Sequence, residues 1–247
     1  MSEEFDDHAL AGALATAAGE LLLQIRPTIE DPKELKAAGD ARANVLILDR
    51  LRPARPDDAI LSEESADDLA RLDHDRVWIV DPLDGTREYG ELDRDDWAVH
   101  VALSISGTAT IGAVALPAQG ITYVTSPAPA LAVRGDGPPR LVVSRTRPPA
   151  ITDALQAALG AELVPMGSAG AKAMAIVQGR ADIYAHAGGQ YQWDSAAPVA
   201  VAAAAGLHVS RIDGSPLVYN DAERSLPDLL ICRPEYAEGV IDVVRAS

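Results

Sequence analysis

Val77-Trp78-Ile79-Val80-Asp81-Pro82-Leu83-Asp84-Gly85-Thr86 is the stretch from which the organisation of this chain can be read. Its first four residues are apolar without alternation, the pattern of a strand buried on both faces. The strand runs straight into two carboxylates in a turn shaped by Pro82 and Gly85. Asp, Pro and Gly are ordinary turn formers, so a bare Asp-x-x-Asp is first of all a turn. Two acids this close at the end of a buried strand also repel one another, and a shared cation resolves that repulsion. Gly85 and Thr86 then place a residue without a side chain and a hydroxyl directly after the acids. Backbone N–H groups at such a turn, where it opens a helix, can grip an anion.

Upstream, residues 8–30 read as an amphipathic helix with Leu10, Leu14, Ala17, Ala18, Leu21 and Ile25 on one stripe, nearing its end at Pro27. A loop over residues 31–39 leads to a second helix from Asp40 to Leu51, stopped by Pro53 and Pro56, with Asp40 as its N-cap. Ile60 and Leu61 form a short strand before the acidic Ser62-Glu63-Glu64-Ser65. Downstream, residues 97–105, 109–116 and 121–125 read as consecutive antiparallel strands. The Pro-rich segment 126–139 is the expected boundary between an N-terminal α+β lobe (1–130) and a C-terminal α/β lobe (131–247) of one compact unit. In the second lobe, strands at 140–144, 162–166 and 181–186 alternate with helices at 150–159, 169–179 and 195–205. Gly160, Gly179 and Gly206 each fall where a helix C-terminus favours a left-handed residue.

Composition narrows the function classes. The chain has 247 residues, 48% of them hydrophobic but only 4% aromatic, so its core is built mainly from Ala, Val, Leu and Ile. A formal charge of −16 excludes polymeric nucleic acid as the expected partner, because a phosphate backbone calls for clustered Lys and Arg. A small phosphate ligand remains compatible if a divalent metal reverses the field locally. Cys232 is the only cysteine, which fits a reducing cytoplasm. The acidic start Met-Ser-Glu-Glu-Phe-Asp-Asp is unlike a signal peptide. No run reaches the roughly 18–20 apolar residues of a membrane span, so the expectation is a cytoplasmic protein without a membrane partner.

Three further acids and one turn carry chemistry. Asp194 precedes the Ala-rich helix, where an N-cap and a metal ligand are compatible readings. Glu63 and Glu64 follow Ser62 and fit either the first turn of a helix or a ligand set. No histidine recurs at a metal-ligand spacing, and His8, His74, His100, His186 and His208 read as surface or satisfied core residues. Carboxylates, a carbonyl and water suit Mg²⁺ over Zn²⁺. Gly167-Ser168-Ala169-Gly170 joins a strand to a helix and can present amides to an anion, without the spacing of a dinucleotide or Walker loop. Lys172, one of three lysines against eighteen arginines, lies one turn into that helix, where it and Ser168 can face one ligand or it can be a solvated lysine.

Taken together and in order, Ser62-Glu63-Glu64-Ser65, Trp78 to Thr86, Gly167-Ser168-Ala169 and Trp193-Asp194-Ser195-Ala196-Ala197 resemble the inositol monophosphatase superfamily of Mg²⁺-dependent, Li⁺-sensitive phosphatases. The resemblance spans Asp40 to Asn220. Arg87, Ser168 with Lys172, and Asp213-Gly-Ser-Pro-Leu-Val-Tyr219 look most like the CysQ-type branch acting on 3′-phosphoadenosine 5′-phosphate (PAP) in sulfate assimilation. Asp95 to His100 and Gly188-Gly189-Gln190 are similar to its actinobacterial form.

What the resemblance implies is a layered αβαβα sandwich of the α+β class, a homodimer, and two or three Mg²⁺ ions. It assigns Glu63, Asp81 and the Leu83 carbonyl to a first ion, Asp81, Asp84 and Asp194 to a second, and Asp40 with Glu63 to a third through water. It gives Gly85 and Thr86 to the phosphate and Thr86 with Asp40 to the attacking water. Arg87, Ser144, Arg145, Ser168 and Lys172 fall at the nucleotide end. The chain departs from many relatives at Lys36-Ala37-Ala38-Gly39-Asp40, where they carry a Thr shortly before the acid. The implied reaction is in-line hydrolysis of PAP by metal-activated water, without a covalent phosphoenzyme. An inositol-1-phosphate or fructose-1,6-bisphosphate phosphatase is the neighbouring alternative, and a non-catalytic regulator that binds a phosphorylated ligand is the alternative of a different class.

Overall fold

The computed structural model describes residues 6–246; of the acidic start of the chain, residues 1–5 lie outside them. Helix α1 (Asp7–Ile25) opens on Asp6, whose carboxylate accepts the Ala9 N–H at 2.7 Å. It buries Leu10, Ala11, Leu14, Ala15, Ala18, Leu22 and Ile25. This face is wider than the expected stripe, and Ala17 and Leu21 lie at its half-buried edge. The reason is that α1 is covered on two sides, by a sheet and by the next helix. Its length and hydropathy would suit a bilayer span, but the apolar face is taken up by this packing.

Helix α2 (Pro32–Ala54) corrects the expected loop over 31–39. Asp31 is the N-cap, accepting the Lys33 and Glu34 N–H groups at 3.0 and 2.8 Å, and Pro32 sits at the first helical position. Asp40 is therefore a mid-helix residue and not a cap. Gly39 stands inside the helix because a Cβ there would come within 2.8 Å of the Tyr89 ring and 3.1 Å of Leu83. Close approach to that ring, not a turn, explains the glycine. Pro53 lies in the last turn, so the helix outlasts Leu51.

The first sheet contains β1 (Ala59–Ser62), β2 (Arg76–Asp84), β3 (Ala98–Ile105), β4 (Thr108–Leu116) and β5 (Ile121–Val124), in that spatial order. β1 runs parallel to β2 and the other pairs are antiparallel, as the alternating turn signals imply. A single helical turn, α3 (Thr86–Tyr89), follows β2. After a loop over 125–139 come β6 (Arg140–Ser144), α4 (Ile151–Leu159), β7 (Glu162–Met166), α5 (Ala169–Val177), β8 (Ile183–Tyr191), α6 (Gln192–Ala204), β9 (His208–Ser210), β10 (Ser225–Cys232) and α7 (Ala237–Ala246). Their strands form a second sheet of order β7-β6-β8-β10-β9. β8 runs five residues past its expected end, so α6 begins at Gln192 and Asp194 is its third residue rather than its cap.

Three hydrophobic clusters fill the spaces between five layers. One lies between α1/α2 and the first sheet, one around α5 and α6 between the sheets, and one between the second sheet and α4/α7. This is the αβαβα sandwich. The two sheets part at the 125–139 loop, yet α5 and α6 from the second half form the layer against the first sheet. The Ala-rich sequence of α6 permits that contact: a Cβ at Gly112 of β4 would lie 2.8 Å from the Ala197 carbonyl oxygen and 2.9 Å from the Ala200 Cβ.

The base of the second sheet is fastened by Asp182, which is fully buried. Its carboxylate accepts the Arg140 backbone N–H at 2.9 Å and two guanidinium N–H groups at 3.0 Å, with Arg233 and Arg134 at 3.3 and 3.5 Å. Burial alone would raise this carboxyl's pKa; the Arg140 hydrogen bonds outweigh burial and hold it below its ordinary value. A lowered carboxyl contributes stability above its unfolded pKa and loses it as pH falls through the folded one. Asp182→Asn is therefore expected to cost roughly 3 kcal/mol at pH 7. A profile of melting temperature against pH should also show a shallower acid limb below about pH 4 than that of the parent.

Candidate active site

The site begins with an irregularity in β2. Asp81 pairs with His100 and Asp84 with Ala98, so three steps along β2 match two along β3. In a regular strand, residues three apart point to opposite faces; the extra residue at Pro82-Leu83 returns both carboxylates to the same side. Pro82, which has no N–H to give the ladder, is compatible with that position. Asp194 enters from the first turn of α6, with one oxygen accepting the Tyr191 N–H at 2.6 Å. Ligand oxygens of Asp81, Asp84 and Asp194 lie within 4.8 Å of one another.

Glu63 completes the cluster from the turn after β1, within hydrogen-bonding reach of Asp81. That turn does not open a helix, so the ligand reading of Glu63 no longer competes with a first-turn acid. Asp40 approaches from α2 on the side of Glu63 and Glu64. Burial, then the neighbouring carboxylates, push these groups up: Asp81 well above the usual range, Glu63 and Asp194 in the same direction, and Asp40 to about 8. Asp84 goes the other way. Burial would raise it, but His100, Lys172 and the Ser168 hydroxyl outweigh burial and hold it below its ordinary value.

These residues fit a hard divalent cation. Asp81 is only 1% exposed and faces other acids, with no lysine or arginine among the groups acting on it and the His100 ring 4.0 Å away. The donors are carboxylate oxygens with the Leu83 carbonyl close by, a set that suits Mg²⁺ or Ca²⁺ chemistry rather than thiolate or imidazole sites. The Leu83 N–H donates to Asp81 at 3.0 Å, and its carbonyl accepts the Thr86 hydroxyl at 3.4 Å with a lone pair to spare.

Beside this cage opens a cavity of about 310 Å³. Gly85, in a left-handed conformation (φ 83°), turns the chain into α3 and sets Thr86 on the wall. Ser168 caps α5, accepting the Ala171 N–H at 2.9 Å while its hydroxyl donates to Asp84 at 2.5 Å. The Gly170 N–H donates to the same Asp84 oxygen at 2.7 Å. Gly167 is held by Asp96, and a Cβ there would lie 2.2 Å from the Glu88 side chain.

Of the expected nucleotide-end residues, all five line this cavity. Arg87 is exposed at the rim. Ser144 accepts the Arg147 N–H at 3.2 Å. The Arg145 guanidinium is committed to Glu88 and Glu91 at 2.6 and 2.7 Å. Lys172 is buried, and its ammonium donates to the Ser168 and Gly167 carbonyls at 2.8 and 3.1 Å, so it is not a solvated lysine.

Sequence reasoning missed Arg147, Tyr184, His186 and Gln190 in the cavity wall. It also missed His100, read as a surface or core residue, which lies against Asp84. Their one available signal was the position of His100 inside an otherwise apolar strand paired with β2.

The inositol monophosphatase family pattern matches residues 6–246, and the chain belongs to that family. The family's members are metal-dependent phosphatases, in agreement with the acidic cage. The chain is 52% identical to the 3′-phosphoadenosine 5′-phosphate phosphatase of Mycobacterium leprae over 256 aligned positions, covering 98% of this chain and 94% of that protein. It is 34% identical to the 3′(2′),5′-bisphosphate nucleotidase CysQ of Escherichia coli, covering 76% and 81% of the two chains. Among solved structures, CysQ from Bacteroides thetaiotaomicron superposes with a TM-score of 0.76 at 26% identity, covering 91% of this chain and 96% of that one.

Because Asp81, Asp84 and Asp194 repel in the absence of a cation, removing one charge should stabilise the metal-free protein. Asp81→Asn is expected to raise the metal-free melting temperature by about 2–4 °C while abolishing the further increase that the parent shows with a divalent ion. Differential scanning calorimetry with and without Mg²⁺ reads both quantities.

Proposed function

We propose that this chain hydrolyses PAP to AMP and phosphate in a Mg²⁺-dependent reaction. The observation that carries the reading is the lining of the cavity beside the cage. Asp84 and Asp194 share that lining with Arg87, Arg147 and Lys172. A monophosphate needs only the cage. Basic side chains beside the cage in a chain of charge −16 are accounted for by a second anionic group on the substrate, as in a nucleoside bisphosphate. The named activities of the mycobacterial and E. coli relatives support the same substrate class.

In this reading Glu63, Asp81 and the Leu83 carbonyl hold one Mg²⁺, and Asp81, Asp84 and Asp194 a second. Asp40 and Glu63 stand where they can assist a third. Bound Mg²⁺ supplies positive charge against the phosphoryl oxygens and lowers the pKa of water. The chain's own residues do the positioning. Gly85 and Thr86 hold the phosphate against the cage, and the Thr86 hydroxyl with Asp40 orients the attacking water. Ser168 and Lys172 hold the nucleotide with the ester bond in line. Nothing in this arrangement requires a covalent intermediate, so catalysis consists of orientation and electrostatic stabilisation.

We also place the protein in the cytoplasm. Its one thiol, Cys232, is buried in β10 and pushed up to about 12 by burial, so it is unsuited to disulfide exchange.

Phosphate release from PAP, inositol 1-phosphate and fructose 1,6-bisphosphate, with Mg²⁺ titrated and Li⁺ added, tests the assignment. PAP is expected to show the highest kcat/KM, and a preference for either other substrate would overturn the PAP reading. Asp84→Asn should abolish turnover of all three and leave the fold intact. Arg147→Ala should lower kcat/KM for PAP about tenfold, the size of one lost charge-assisted hydrogen bond, with a smaller effect on inositol 1-phosphate.

A further inference from the structure

His100 has no part in the roles above, yet it lies against Asp81, Asp84 and the residue before Asp194. It is fully buried on β3, directly opposite Asp81 in the strand register. Its Nδ1 lies 3.1 Å from the carbonyl oxygen of Trp193, the residue before Asp194. A carbonyl only accepts, so Nδ1 carries the proton and donates it. On the other side of the ring, Nε2 lies 3.2 Å from Asp84 Oδ2, a close contact without an aligned hydrogen bond. The imidazole also presses on the first turn of α5: a Cβ at Gly170 would lie 2.1 Å from Nε2. One rigid ring thus stands between the three segments that bring Asp84, Asp194 and the Ser168–Gly170 turn together.

The consequence for Asp84 is geometric. Its Oδ2 faces the Ser168 hydroxyl, the Gly170 N–H and His100 Nε2, so this oxygen is committed to the protein. Oδ1 has no such partners and is the oxygen free for a ligand role. With no Cβ at Gly170, the imidazole can come this near, and any larger residue would displace it. A ring that only filled space at position 100 would need neither nitrogen, and both nitrogens lie against parts of the cage.

We propose that His100 is a positioning residue that sets the separation of Asp84 and Asp194: its Nδ1 holds the Trp193 carbonyl while its ring abuts Asp84. It rests on the metal-dependent reading of the site. Groups that orient carboxylate ligands typically change metal affinity 10- to 100-fold when replaced.

Full-length parent, His100→Leu and His100→Asn proteins are compared by calorimetric Mg²⁺ titration, by melting temperature without metal, and by Mg²⁺ activation of phosphate release. Leucine fills similar space without nitrogens and is expected to weaken Mg²⁺ binding about 10- to 100-fold, with most of kcat recovered at saturating Mg²⁺. Asparagine keeps a donor within reach of the Trp193 carbonyl and should recover part of that affinity, whatever its effect on the metal-free melting temperature. If His100→Leu melts lower but binds Mg²⁺ as the parent does, the ring is packing alone and the inference is overturned. Equal losses in the two variants would overturn the hold on Trp193. Should the leucine variant not fold, an asparagine variant with parental Mg²⁺ affinity and a parental activation curve overturns that hold, and an intermediate affinity supports it. Absence of any Mg²⁺ heat or thermal shift in the parent would instead overturn the metal reading itself, and the inference with it.

Discussion

Mutual repulsion among buried carboxylates is the constraint on which the rest of this structure depends. Asp81, Asp84 and Asp194 place ligand oxygens within 4.8 Å of one another, with Glu63 reaching Asp81 from the side. Charges in such a setting are tolerated only when the surroundings hold them rigidly and a counter-charge is available. The chain meets the first condition through three separate devices. A bulge in β2 turns two successive acids to one side, the first turn of α5 aims a hydroxyl and an amide at Asp84, and Asp194 uses one oxygen to tie down the start of its own helix. The second condition is what gives the site its chemistry: a protein that gathers more acids at one point than its own basic groups offset has left a place for a cation.

The layered fold can be understood as the means of bringing those devices to one point. The end of β2 comes from the first sheet, whereas α5 and α6 follow strands of the second. Their convergence requires the middle helices to lie very close to the first sheet. Glycine at 112 and 170 and alanine along α6 supply that closeness, because any side chain at those positions would meet backbone or the His100 ring. The scarcity of aromatic residues noted from composition has the same meaning. Only 4% of the chain is aromatic, and the layer between the sheets is packed from small residues that allow short interlayer distances.

Much of this was legible in the sequence, and the misses have physical explanations. The doubly buried strand, the antiparallel middle and the βα alternation of the second half follow from hydrophobic period and turn residues, which are local. The acids Glu63, Asp81, Asp84 and Asp194 were readable because the family resemblance joined segments that are distant along the chain. The start of α2 was misplaced because Gly39-Asp40 imitates a helix start. Asp31-Pro32 is the stronger cap signal, and Gly39 answers to a contact with Tyr89 that lies far away in sequence. The cap reading of Asp194, which stood beside the ligand reading, fails because β8 runs on through Gly188 and Gly189 and α6 starts at Gln192. His100 went unassigned because its meaning resides in Trp193 and Gly170, both remote from it along the chain, and strand pairing alone shows only that it faces Asp81.

Net charge shows how far composition can reach. A formal −16 argues against a polyanionic partner, but it describes the surface average rather than the site. The cavity lining is mixed: Asp84, Glu88 and Asp194 share it with Arg87, Arg145, Arg147 and Lys172. Even there the basic groups are not equivalent. Arg145 is neutralised by Glu88 and Glu91, whereas Lys172 is desolvated and bound only to carbonyls, and burial lowers its pKa. A cation hydrogen-bonded to neutral acceptors, even with carboxylates further off, retains more of its field than one clamped directly between two carboxylates. The electrostatic reading of the substrate therefore rests on Lys172, Arg147 and Arg87, with Arg145 acting chiefly to hold α3 against the wall in which Thr86 sits.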